Sequence, residues 1–174
     1  MAFVDNSKQQ EILRPVKSSF IVLSLTLAMV MNLLPIEGLA ITLWPDFVAL
    51  TILYWCINQP QRAGISTAFI MGLFMDIGNA STFGQHALAY CIMAFVALAF
   101  HRRLSIFGIL KQAPQIGLIL FVGQFIMLLT GLLDGSPFPG RNFFLPSITG
   151  TLLWPFFSSL LRMPQKPRSD NDVR

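Results

Sequence analysis

Charge is what this sequence has least of: twelve Lys and Arg and eight Asp and Glu in 174 residues, 11% in all. Soluble domains carry about 25% charged residues, and so thin a supply cannot coat a water-exposed surface. Cysteine and histidine are scarcer still, with two of each. Cys56 and Cys91 both sit inside apolar runs, with no CxxC pair and no histidine set nearby. That pattern excludes a disulfide framework or a zinc site and reads as small buried thiols. No GxSxG, no HExxH and no glycine-rich phosphate loop is found either. A soluble enzyme, a stapled secreted module and a disordered chain are therefore ruled out, and no cofactor or metal is implied.

What is present is apolar: 54% hydrophobic residues, sixteen Phe and eight Met, with a mean hydropathy of +0.64. Crossing ~30 Å of hydrocarbon as a helix takes about 17–21 residues without Lys or Arg. Six such stretches occur, at 18–36, 39–57, 63–79, 84–100, 113–133 and 143–161. The expectation is an all-α, polytopic membrane protein with about six transmembrane helices. A single transmembrane domain, 18–161, would lie between a short N-terminal segment, 1–17, and a disordered polar tail, 162–174. Gly38-Leu39-Ala40 is a weak signal-cleavage site, but the first apolar stretch is too long for a signal peptide and five more follow.

The net charge of +4 matters less than where the bases sit. Eleven of the twelve fall on alternate sides that share one face, and Arg141 alone falls on the other. The positive-inside rule then puts both termini in the cytoplasm. Bases at the ends of apolar stretches orient the chain and make no nucleic-acid groove. The segment from His101 to Gln112 reads as a cytoplasmic loop at the headgroup boundary, a plain tether or a lipid contact.

The third stretch holds the strongest internal pattern. Gly64, Ala68, Gly72, Asp76 and Ala80 recur every four residues and share one helix face. Small residues at that spacing let another helix approach closely, and Asp76 shares the stripe. A carboxyl inside a bilayer costs about 2.5–3.5 kcal/mol on insertion scales, so something must offset it. Asp76 reads as a packing or partner-docking group, a proton or ion site, or a catalytic acid or base. Asn32, Asp46 and His86 fall at the same outer depth and are placed to form one polar cluster with it. Asp46, after Pro45, suits the cap of a helix start. His86 reads first as a packing residue, Gln124 as an interhelical hydrogen bond, and Trp154-Pro155 as a kink.

Several strings together resemble a known family. Trp44-Pro45-Asp46-Phe47, then Leu53-Tyr54-Trp55 with Pro60 and Arg62, is similar to the second span of the bacterial rod shape-determining protein MreD family. Gly72-Leu73-Phe74-Met75-Asp76, then Ser81-Thr82-Phe83-Gly84 and Ala87-Leu88-Ala89-Tyr90, resembles that family's central signature. Leu153-Trp154-Pro155 ahead of Arg162 resembles its last span. The resemblance implies a non-catalytic scaffold of the cell-elongation complex in the bacterial inner membrane. It implies MreC as partner, with RodA, its penicillin-binding transpeptidase and MreB reached directly or indirectly. It also implies a fold similar to the S-components of energy-coupling transporters. On this reading Gly64, Ala68, Gly72, Asp76 and Gly84 pack or dock, and membrane lipid or a second copy joins the contacts. The alternatives are a small-molecule or lipid-binding transporter subunit and, less well served by such short loops, an enzyme acting on a lipid-linked precursor.

Overall fold

The computed structural model describes residues 17–35, 38, 43–80 and 82–165, and the N-terminal segment and most of the polar tail lie outside these. So do Leu39 and Ala40 of the weak cleavage site, and Ser81. Among the described residues the apolar stretches form six helices: α1 (Ser18–Asn32), α2 (Phe47–Asn58), α3 (Ile65–Gly78), α4 (Gln85–Ile106), α5 (Ile109–Leu133) and α6 (Leu145–Arg162).

Successive helices run antiparallel. Ser18, at the start of α1, meets Arg62 beyond the end of α2, while Asn32 at its end meets Asp46 before α2 begins. Gly72 lies against Ala87 between α3 and α4, Gly123 against Met93 between α5 and α4, and Gly117 against Thr151 between α5 and α6. Helix α4 packs against α2, α3 and α5, and α2 in turn against α1, α4 and α6. These two helices form the centre of the bundle.

Three spans are shorter than their apolar stretches. Helices α4 and α5 and the segment 142–162 are long and apolar enough to cross a membrane, at 22, 25 and 21 residues. Helices α1, α2 and α3 have only 15, 12 and 14. Twelve residues rise ~18 Å, well short of the ~30 Å core. For α2 the reason is enclosure: every residue from Val48 to Ile57 is buried. A helix that is apolar all round belongs inside protein, where it has no lipid thickness to match.

Large apolar side chains cover the outside instead, with Ile77, Leu118 and Phe156 each about two-thirds exposed. Lipid is as apolar as these groups, so the exposure is favourable in a bilayer. The core holds the bulky amphipathic rings: Trp55, Trp154, Tyr54 and Tyr90 are fully buried. Such rings need partners for their polar tips. Trp55 Nε1 donates to Ser24 Oγ at 2.9 Å, and the Tyr54 hydroxyl receives Gln165 Nε2 at 2.8 Å.

Two expectations are corrected. The segment from His101 to Gln112 is no loop: α4 continues to Ile106 and α5 starts at Ile109, leaving only Phe107 and Gly108 between. Gln112 closes this break by donating Nε2 to the carbonyls of Leu104 (2.8 Å) and Phe107 (3.1 Å) at the α4 terminus. Nor does the polar tail begin at 162. A 3₁₀ turn, Met163–Gln165, follows α6 and buries Gln165 against Tyr54.

Candidate functional site

The outer ends of α1 to α4 gather the polar residues. Helix α4 begins at Gly84, whose φ of +94° suits glycine and whose lack of a side chain leaves the terminus without a cap of its own. The first backbone N–H groups of a helix have no intrahelical acceptor and must find one elsewhere. Asp76, on α3, supplies it. Its Oδ2 accepts from Gly84 N at 2.9 Å and from Ala87 N at 3.4 Å, and its Oδ1 accepts from His86 N at 2.8 Å. His86 Nδ1 also lies 2.8 Å from Oδ1. The Asp76 side chain is fully buried and that of His86 is 16% exposed.

Gly72 makes this reach possible. A Cβ built there would stand 2.5 Å from Ala87 N and 2.8 Å from the His86 carbonyl carbon, and closer still to Ala87 Cα. With hydrogen at that position the α3 and α4 backbones touch. One turn further on, the carboxylate of Asp76 then lies over the α4 terminus. A negative group there also meets the positive end of the helix dipole.

A second carboxylate repeats the device within the first helix pair. Asp46 caps its own helix α2, accepting Ala49 N on Oδ1 at 2.9 Å. The same Oδ1 receives Asn32 Nδ2 at 2.7 Å, and Asn32 Oδ1 accepts Phe47 N at 2.9 Å. The Tyr90 hydroxyl donates to Asp46 Oδ2 at 2.7 Å. Tyr90 sits one turn below His86 on α4, and the two rings meet edge to face at 5.8 Å.

Asn32, Asp46, Asp76 and His86 therefore come together as two capped helix starts joined through Tyr90. His86, read from sequence as a packing residue, instead faces the Asp76 carboxylate. The four-residue stripe is engaged over its middle only: Ala68, Gly72 and Asp76 are buried, Gly72 and Asp76 against α4 of the same chain. Gly64 is the α3 start with nothing within 4 Å of its Cβ position, and Ala80 is exposed with φ +48°. Trp154 is buried and its ring lies 6.5 Å from that of Tyr54. Pro155 is inside α6, which runs unbroken across it. Gln124 accepts from Ser147 Oγ, joining α5 to α6.

Tyr90 is the residue that sequence reasoning missed. Its signal was there, four residues from His86 and so on the same helix face, but a tyrosine in an apolar run looks like core. Removing the hydroxyl isolates its contribution. Tyr90→Phe is expected to cost about 1 kcal/mol, while Asp46→Ala, which also strands Ala49 N and Asn32, is expected to cost about 2–3 kcal/mol. Urea unfolding of the purified protein in detergent measures both.

Among the described residues, six antiparallel apolar helices, with carboxylates spent on capping helix starts, define a polytopic membrane protein built on internal polar latches. The family model of the rod shape-determining protein MreD matches residues 14–164. The chain belongs to the MreD family, and with it to the proteins that determine rod shape. It is 26% identical over 118 residues to the rod shape-determining protein MreD of Haemophilus influenzae, covering 68% of this chain and 73% of that one. No solved structure matches it.

Proposed function

We propose that this chain is a non-catalytic scaffold of the cell-elongation complex in the bacterial inner membrane, with both termini in the cytoplasm. It binds MreC, and through MreC or directly it holds RodA, its penicillin-binding transpeptidase and the MreB cytoskeleton in register. One observation carries the reading. The oxygens of Asp46 and Asp76 are engaged by donors from within the chain. The strongest polar groups thus fix helix positions, as a scaffold requires.

A ligand-binding transporter subunit would need room beside those groups. The recess between Asp46, Gln124 and Ser147 measures about 40 Å³, against about 300–1,000 Å³ for small-molecule sites. The latched bundle instead offers partners a fixed outer surface, with Ile70, Phe74 and Ile77 of α3 on the side away from α4.

Mild-detergent purification of the tagged full chain, with mass spectrometry of what stays bound, tests the proposal. Near-stoichiometric MreC is the expected result. Recovery of an ATPase pair with a transmembrane coupling subunit, and no MreC, overturns it.

A further inference from the structure

The end of the bundle opposite the carboxylate latches has a different chemistry. Lys17, Arg62, Arg102, Arg103, Lys111 and Arg162 all lie there. The three described acidic residues do not: Asp46 and Asp76 belong to the latches, and Asp134 follows α5 at its far end, bonded to Thr82. A cavity of about 640 Å³ opens between the start of α5 and the end of α6 at this basic end, lined by Gly108, Ile109, Lys111, Pro155, Ser159 and Arg162 among others.

Two cations line it and, among the described residues, no carboxylate does. Arg162 lies against the buried Tyr54 hydroxyl, which fixes its guanidinium beside the cavity. The 25-residue helix α5 starts at the rim on Gly108, which offers no side-chain cap, so its first N–H groups and positive dipole end add to the field. Around the cations the walls are apolar, and Leu110 at the edge is 78% exposed.

We propose that this cavity binds the phosphate of an anionic phospholipid, with the headgroup held between Lys111 and Arg162 and the acyl chains lying along α5 and α6. A cationic recess at the ends of membrane helices, bordered by lipid-facing apolar surface, matches an amphiphile better than a free ion. Basic pockets between helices at headgroup level have this recognition chemistry in general. The inference is independent of which proteins the scaffold holds.

The test titrates the full-length protein in a neutral detergent with phosphatidylglycerol and with phosphatidylcholine, reading bound lipid by native mass spectrometry. Phosphatidylglycerol is expected to bind at least ~10-fold more tightly, with ~5-fold lost in Lys111→Gln and ~30-fold in the Lys111→Gln/Arg162→Gln pair. Lys111→Arg restores binding. Arg102→Gln/Arg103→Gln, on the same face but outside the cavity, is the control and should change affinity less than ~3-fold. Equal losses in the two double variants would mean diffuse surface charge and overturn the site. Displacement of phosphatidylglycerol by ~1 mM inorganic phosphate would mean a free-phosphate site and overturn the lipid assignment. Lys111→Gln alone decides the matter should the Arg162 variant not fold.

Discussion

Gly72→Ala is expected to destabilise the protein by about 3 kcal/mol or more, the upper end of the range for overpacking a close contact. The neighbours of the added methyl are backbone atoms of Ala87 and His86, which have no rotamer to yield. Helix α4 must move away from α3 as a unit, and the movement also stretches the bonds from Asp76 to Gly84, His86 and Ala87. Thermal unfolding in detergent should show a midpoint lowered by roughly 5–10 °C. Gly64→Ala belongs to the same four-residue stripe but meets nothing within 4 Å and should leave the midpoint unchanged. If the two variants behave alike, close approach of α3 and α4 is not what the stripe provides.

Asp76→Leu sets two large effects against each other. Removing a carboxyl from the bilayer recovers about 2.5–3.5 kcal/mol on insertion scales. Against this, the N–H groups of Gly84, His86 and Ala87 lose their acceptor, at about 1–3 kcal/mol each, and the His86 ring loses its partner. The loss wins by a few kcal/mol. Asp76→Asn keeps one acceptor oxygen and should fall between wild type and Asp76→Leu in an unfolding titration. Retention of MreC by the tagged chain should follow the same order, and Asp76→Leu should lower it more than Asp46→Ala does. An Asp76→Asn protein that is as stable as wild type yet unable to support rod shape would point to a charge or proton role and sink the capping account.

The six-helix order, with the bases gathered at one end, was readable because apolar length, base distribution and turn residues each report on it directly. Helix length was not. Counting residues without Lys or Arg measures apolar composition, and α2 is apolar because it is enclosed, not because it spans. The stripe through Ala68, Gly72 and Asp76 was visible as a face, but spacing on one helix cannot say what covers it, and the cover proved to be α4 of the same chain. Depth along the helices placed His86 in reach of Asp76, but helix rotation, which decides between that contact and plain packing, is not written in the spacing. Gln165 escaped notice in a polar, proline-bearing stretch, since nothing local marks a residue that bonds to Tyr54 from 111 positions away.

Those separations imply an order of assembly. Asp76 and His86 are 10 residues apart, Asn32 and Asp46 are 14. Each hairpin can therefore latch as soon as its second helix emerges from the ribosome, at small loop-closure cost and before α5 exists. Tyr90 then fastens one hairpin to the other across 44 residues. The Gln165–Tyr54 bond can form only after α6 has been made, so it fastens a bundle already half built. Truncations from the C-terminus should leave the first two hairpins inserted and paired, and lose the closure around α2 first.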